Sequence, residues 1–332
     1  MREFTLIRAR SPEQAVQALA TYPEARLMAG GTTLYDLMKL GVERPPAIVD
    51  INAIEELRAF DTSGARELVF GSLARMSDVA ADPRLVKDYP ALSESLWRAA
   101  SQQLRNMASL GGNVLQRTRC AYFRGGEPFA CNKRQPGSGC AALEGIDRGH
   151  ALLGTSPSCI ATYPGDFAVA LVAFDAVLDV LGPSGVRSIP VEALHRLPGD
   201  RPDLETTLAP GEIITRIRVP VTPIGRASTY HKIRDRESYA FALSSAAVAL
   251  TMDGKRVAQA RIALGGVATK PWRARLAEQG LAGRELTIET ALAAGFAAFA
   301  DARAGHHNAF RIELGARTVA DALMIAAQRT SI

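Results

Sequence analysis

The first 55 residues alternate between a strand period and a helix period, and this limits the architecture more than any other feature of the chain. "EFTLIRA" alternates apolar and polar residues. "SPEQAVQALATYP" opens on a serine cap with proline at the first helical position, then places apolar residues at helical spacing. "ARLMAGG" is a short apolar strand ended by glycines, "TTLYDLMKLG" a helix closed by Gly41, and "PAIVDI" a further buried strand. Strand and helix in strict turn predict a small α/β unit ending near residue 55.

The pattern then loosens. "ELVFGSLARMSDVAADP" predicts a strand, a turn and a short helix from Ser77, and "YPALSESLWRAASQQLRN" one longer helix. "DFAVALVAFDAVLDVLGPSGVRSIPV" predicts a helix running into strands around a Pro-Ser-Gly turn. "GEIITRIRVP" is a strand stopped at Pro220, and with Pro223 it marks a domain boundary. Beyond it, two apolar runs joined by "MDGKR" predict a hairpin. Ala-rich helices at about 287–303 and 309–328 complete an antiparallel sheet backed by helices.

At 332 residues, 47% hydrophobic and 22% charged, the chain can bury one large core or two domains. No run approaches the roughly 20 apolar residues of a membrane span. The N-terminus "MREFTLIRARSPEQAV" carries charges and a proline where a signal peptide needs an apolar stretch. A cytoplasmic location is expected, or a periplasmic one if a signal-bearing partner subunit is co-exported. The net charge of +5 would suit nucleic acid, but the arginines are spread among Asp and Glu with no basic tail. An acidic ligand or an acidic partner subunit fits better than nucleic acid.

Two loops carry paired glycines. "RLMAGGTTLYDLM" sets two glycines and two threonines between a strand and a helix, where amides and hydroxyls can cradle an anion. "NMASLGGNVL" is a second such loop, with Ser109 placed to hydrogen-bond and Asn113 able to adopt a left-handed conformation. Each alone reads first as a turn, and neither is the G-x-G-x-x-G fingerprint of a Rossmann fold. Two together point to a diphosphate-bearing cofactor.

All four cysteines, Cys120, Cys131, Cys140 and Cys159, fall in one Arg-, Gly- and Pro-rich segment with spacing C-x10-C-x8-C-x18-C. Such loop sequence cannot bury itself, which argues against inert core thiols. Soft sulfur ligands suit zinc or an iron–sulfur cluster. Structural zinc favours tight C-x2-4-C knuckles, absent here, whereas wide spacings suit the separated corners of a cubane. Arg117, Arg119, Lys133 and Arg134 would offset the negative charge of a cluster with four thiolates.

Six stretches in order resemble the FAD-binding medium subunits of molybdenum hydroxylases, the xanthine dehydrogenase and carbon monoxide dehydrogenase group. They are "MAGGTTLYDLMK", "QLRNMASLGGNV", "YPGDFAVALVAFDA", "GEIITRIRVP", "YHKIRDRESYAFALSSAAVAL" and "RIALGGVATKPWRA". The family usually passes from the GGN loop to the aspartate motif within about ten residues. Here Asn113 and Asp166 stand 53 positions apart, with every cysteine in the gap. Such an insertion is similar to that of a branch carrying a [4Fe–4S] cluster, the bacterial aldehyde oxidoreductase flavin subunits of periplasmic type. The 4-hydroxybenzoyl-CoA reductase type is a more distant match.

The resemblance implies an α+β protein. Residues 1–222 would form a PCMH-type, vanillyl-alcohol-oxidase-like FAD-binding fold of two α/β subdomains (1–55 and 56–222), with a [4Fe–4S] insertion at about 115–162. Residues 223–332 would form a C-terminal antiparallel sheet with helices, of the CO dehydrogenase flavoprotein type. It places Arg26, Leu27, Met28, Ala29, Gly30, Gly31, Thr32, Thr33 and Leu34 around the FAD diphosphate. Ser109, Gly112 and Asn113 would reach the ribose–diphosphate region. Asp166 would accept from the cofactor or cap its own helix, Ile214 would pack near the flavin or in the core, and Lys232 would lie near the isoalloxazine. Cys120, Cys131, Cys140 and Cys159 would hold the cluster. Gly165 stands where the family commonly has serine, which implies one hydroxyl contact fewer.

The five histidines show no metal spacing, and His150, His195, His306 and His307 are expected on the surface or in loops. With no Ser-His-Asp set, no paired carboxylates and no molybdenum motif, no catalytic residue is assigned and substrate chemistry falls to another subunit. The implied partners are a large molybdenum-cofactor subunit and a small [2Fe–2S] subunit in a heterotrimer or its multimer. Electrons would pass from them through FAD to an external acceptor. Two other readings are a stand-alone flavin oxidase of the vanillyl-alcohol type and a zinc-stapled, non-enzymatic binding protein.

Overall fold

The computed structural model describes residues 2–331, so Met1 and Ile332, the outermost residues of the two expected domains, lie outside it. The opening unit runs β1 (Thr5–Arg8), α1 (Pro12–Thr21), β2 (Arg26–Met28), α2 (Leu34–Lys39) and β3 (Ala47–Asp50). Its three strands are parallel in the order β1-β3-β2, as the alternating pattern requires. Ser11 caps α1 by accepting the Gln14 amide at 3.2 Å. Ala15, Val49, Ile54 and their neighbours form this unit's core.

The second unit begins with β4 (Phe60–Asp61) and β5 (Glu67–Gly71). Five short helices follow: α3 (Met76–Ala80), α4 (Pro83–Asp88), α5 (Pro90–Trp97), α6 (Gln102–Met107) and α7 (Leu110–Val114). The one long helix expected over 89–106 is therefore two. Ala100 adopts a φ of 50°, and Ser101 then caps α6 by accepting the Leu104 amide at 3.3 Å. A serine that can satisfy a free helix amide makes a better start than an interior residue.

After α8 (Ala121–Arg124) and α9 (Phe167–Ala173) come β6 (Val177–Gly182), β7 (Gly185–Pro190), α10 (Val191–Leu194) and β8 (Ile213–Pro220). The sheet is antiparallel in the order β4-β5-β8-β6-β7, so the last strand in sequence becomes the central one. α9 is buried along its whole length, which explains its uninterrupted apolar sequence. The final unit holds β9 (Ser228–Ile233), β10 (Ser244–Asp253), β11 (Arg256–Gly265) and β12 (Trp272–Arg273) in an antiparallel sheet. Behind it pack α11 (Arg275–Leu281), α12 (Ile288–Ala297) and α13 (Phe310–Gln328). The expected hairpin is present, with Asp253 paired to Arg256 across the turn.

The cysteine segment is less self-contained than its composition suggests. Phe123 is buried against Leu37 of α2 and Cys131, while Leu152 and Leu153 enter the core of the final unit. Asp147 accepts the amides of His306 and His307, each at 2.8 Å, and Arg311 donates to the His150 carbonyl at 2.6 Å. The insertion buries its few apolar residues in cores supplied by the rest of the chain, and it ties the first unit to the last.

Candidate functional site

A cleft of about 610 Å³ lies between the two glycine loops, within the size range of cofactor sites. Its first wall is the loop after β2. Arg26, Leu27, Ala29, Gly30, Gly31, Thr32, Thr33 and Leu34 all line it. Gly31 has a φ of 71°, the left-handed region that glycine enters without strain. Thr33 precedes α2 but makes no side-chain cap, so its hydroxyl is not engaged by the helix.

The opposite wall is the α6–α7 corner with the turn after β5. Ser109, Gly111 and Gly112 line the cleft beside Ser72 and Leu73. The walls meet where Gly30 touches the Met107 backbone, and a Cβ there would lie 2.7 Å from the Met107 carbonyl carbon. At Gly111 a Cβ would lie 2.9 Å from that of Ser72. Both glycines are therefore required by close approach. Ser109 Oγ accepts the Gly112 amide at 3.3 Å and so caps α7. Asn113 lies within α7 and does not use the left-handed conformation open to its residue type.

Of the fifteen predicted cofactor residues, Met28, Asn113, Asp166 and Lys232 do not line this cleft. Asp166 does not cap α9. It accepts from Tyr230 Oη at 2.6 Å and from Lys232 Nζ at 2.8 Å, and Lys232 also donates to the Arg98 carbonyl at 3.1 Å. The Lys232 and Asp166 side chains are 1% and 6% exposed, a buried ion pair whose charges answer each other. Burial and the Asp166 charge push the Tyr230 phenol well above its ordinary value. Ile214 is buried in β8 and lines the cleft.

Several cleft residues carried no sequence signal. Glu43, Leu115 and Gly211 arrive from three separate segments, and Arg117, expected beside a cluster, lines the cleft instead. The cleft also leaves polar atoms without partners. Ser72 Oγ, on its wall, and Asn113 Oδ1, beside it, are both buried and unbonded. Buried polar groups are normally satisfied, so the donor set fits a ligand rich in oxygen and nitrogen such as a flavin dinucleotide.

Gly165 has a local cause. A Cβ there would lie 2.5 Å from the Tyr163 hydroxyl, which donates to the Val114 carbonyl at 2.9 Å. Tyr163 therefore fills the space a serine would need, and supports the end of α7 from behind. His195 does the same, with Nε2 3.0 Å from the Val114 carbonyl and its ring 4.4 Å from that of Tyr163. His150 and His195 are buried, contrary to expectation, because each fills a polar gap between segments; His306 and His307 are exposed.

Cys120, Cys131, Cys140 and Cys159 come together around one small cavity that also touches Phe123, Asn132 and Lys133. Cys131 and Cys140 face each other across an antiparallel bridge. Asn132 joins the segments, accepting the Gly139 amide at 2.8 Å and donating to the Ser158 carbonyl at 3.0 Å. Burial pushes the Cys120 thiol up to about 11, and burial also raises Cys159 despite Lys133 nearby. The Ala161 amide donates to Cys159 Sγ at 3.4 Å, and His150 Nε2 lies 3.2 Å from Cys120 Sγ.

Among the described residues, no group of three or more His, Cys, Asp or Glu side chains gathers tightly enough for a metal ion. Of the four cations expected to offset a cluster, only Lys133 lines the cavity. Arg117 pairs with Glu43 and Glu205, Arg119 with Asp36, and Arg134 donates to carbonyls of its own segment.

Residues 2–222 match the family of the FAD binding domain in molybdopterin dehydrogenase, and residues 228–326 that of the CO dehydrogenase flavoprotein C-terminal domain. The chain is 44% identical over 328 residues to the aldehyde oxidoreductase FAD-binding subunit PaoB of Escherichia coli, covering 97% of this chain and 98% of that one. It is 28% identical over 284 residues to the glyceraldehyde dehydrogenase medium chain of Sulfolobus acidocaldarius, covering 86% and 83%. Its fold superposes on carbon monoxide dehydrogenase of Hydrogenophaga pseudoflava with a TM-score of 0.77 at 26% identity, covering 99% and 98%. Among the described residues, no helix is long and apolar enough to cross a membrane. The two-loop cleft, the α+β units around it and the matches along nearly the whole chain agree: the chain belongs to the FAD-binding medium subunits of the molybdenum hydroxylases.

Proposed function

We propose that this chain is the FAD-carrying electron-transfer subunit of an aldehyde-oxidising molybdenum hydroxylase, and that its cysteine insertion holds one [4Fe–4S] cluster. The observation that carries the second half is the convergence of all four cysteines on one cavity behind the flavin cleft. The aldehyde assignment is supported by the 44% identity to a subunit of an aldehyde oxidoreductase. Substrate oxidation belongs to a large molybdenum-cofactor subunit, with a small [2Fe–2S] subunit between it and this chain.

Bound FAD supplies the redox chemistry, accepting and releasing electrons; the chain supplies binding, orientation and charge. The loop Arg26–Leu34 and the Ser109–Asn113 corner would hold the diphosphate, with Gly30 and Gly31 allowing close approach. Ile214 and Leu115 would exclude water from the cofactor's apolar faces. Lys232 and Asp166 would act from outside the cleft wall, as a buried charged pair that keeps the region rigid.

A cubane rather than zinc is favoured by the wide sequence spacing, since structural zinc prefers tight C-x2-4-C knuckles. Buried thiols held protonated, as Cys120 is, ionise readily only against a metal. The cluster's role is structural or off the main electron path, because the segment depends on other units for its core. Two experiments test the reading. Co-purification from the native source should return molybdenum and [2Fe–2S] subunits with this chain. A Cys131→Ser variant that keeps fold and FAD but loses turnover between aldehyde and acceptor would show that the cluster relays electrons.

A further inference from the structure

An unbroken row of alternating charges runs from the cysteine cavity to the flavin cleft. Lys133 lines the cavity and its Nζ lies 3.0 Å from Glu205 Oε1. Glu205 also accepts from Arg117, through Nε and Nη2, both at 3.1 Å. Arg117 lines the cleft, and its remaining terminal nitrogen donates to Glu43. Glu43, also on the cleft wall, lies 3.3 Å from Nε of Arg26.

The row is sheltered from solvent. Side-chain exposure is 12% at Lys133 and 11% at Glu43, and it rises to 51% only at the outer end, Arg26. Salt screens such partly buried pairs far less than surface pairs. Burial pushes the Glu205 carboxyl up, but Arg117 and Lys133 more than offset this and hold it below the ordinary range.

Glu205 comes from neither glycine loop nor the cysteine insertion. The Arg196 amide donates to its carbonyl at 3.0 Å, and His195 pairs with Thr206 beside it. It is a post on the second unit to which two cations are tied. Both cations belong to the cysteine segment: Arg117 stands three residues before Cys120, and Lys133 two after Cys131.

We propose that Glu205 is a positioning residue that couples the two sites, so that a metal-ordered cysteine segment raises the affinity of the cleft for FAD. Metal holds Lys133 in place, Lys133 and Arg117 share the Glu205 carboxylate, and Arg117 so held presents its remaining nitrogen at the cleft wall. Loss of the metal frees the segment and lets Arg117 swing away. By linkage, FAD would raise the affinity for metal by the same factor. The inference rests on the iron–sulfur reading above.

The test uses the full chain, purified without oxygen and stripped of flavin. FAD is titrated into the iron-loaded protein, and into the same protein after iron removal by a chelator, with quenching of flavin fluorescence as the signal. In the native chain, iron removal should weaken FAD binding by about fivefold or more. In Glu205→Gln the iron-loaded and iron-free affinities should agree within about twofold. Lys133→Met should also lose the coupling and Lys133→Arg should retain it, a contrast that a general packing defect would not produce. A native chain whose iron-loaded form binds FAD no more tightly than its iron-free form overturns this inference alone. So does a Glu205→Gln chain that keeps the full ratio. A chain that purifies with flavin but no iron or sulfide overturns the iron–sulfur reading together with the inference.

Discussion

His195 offers a sharp test of how the flavin loop is supported. It sits behind α7 with Nε2 against the Val114 carbonyl, while its Nδ1 is buried without a partner. Burial drives its pKa down to about 4, only partly opposed by the bond to Val114. In the unfolded chain an imidazole takes up its proton near 6.5. As the pH falls through that window the unfolded chain binds a proton and the folded one refuses it, so acid favours unfolding. Above about pH 6.5 the group contributes no slope, and below about pH 4 the loss is complete. Between those limits the penalty reaches on the order of 3 kcal/mol.

The variant to compare is His195→Gln, whose amide can still donate to Val114 but does not titrate. Urea unfolding of the flavin-loaded chain would be followed near pH 7.5 and again near pH 4.5. The native chain should lose about 2.5 kcal/mol more than the variant between the two conditions. His150 and His231, whose pKa values burial also lowers, titrate in both proteins and cancel in the difference. Parallel pH profiles for the two chains would refute a buried, neutral His195.

Two further substitutions probe the cleft and its surroundings. Gly30→Ala forces a methyl into the Met107 backbone and must part the two flavin loops. It should cost about 1–3 kcal/mol and release FAD on gel filtration, read from flavin absorbance; full retention would contradict the close approach. Lys232→Met leaves Asp166 buried without its counter-charge, which should cost about 3–5 kcal/mol in denaturant unfolding. Adding Asp166→Asn should recover much of that, and a single-variant loss below about 1 kcal/mol would show the pair is not electrostatically closed.

The sequence made the local elements legible wherever periodicity and punctuation agreed. The β1–β3 unit, the Asp253–Arg256 hairpin and the last helix follow directly from their patterns, while α12 stops at Ala297, short of the expected 303. The helix over 89–106 did not, because apolar spacing continues through a break that depends on Ala100 entering a left-handed conformation. The place of β8 at the centre of its sheet is a long-range choice that no local pattern records.

The site divides along the same line. The glycine loops and the cysteines declare themselves by composition. Glu43 and Glu205 do not, since each looks like an ordinary surface charge until the fold sets it in one row with Arg117. Burial of His195 was hidden for the same reason, its partner being a backbone carbonyl 81 residues away.

The central claim is that one chain holds both a flavin and an iron–sulfur cluster, and cofactor analysis of the purified chain addresses it directly. Flavin released by acid, iron, zinc and acid-labile sulfide would be measured on one sample, with the visible spectrum alongside. The account predicts FAD and a single [4Fe–4S] cluster per chain, with flavin bands over a broad iron–sulfur shoulder. A colourless chain with one zinc and no sulfide would contradict it.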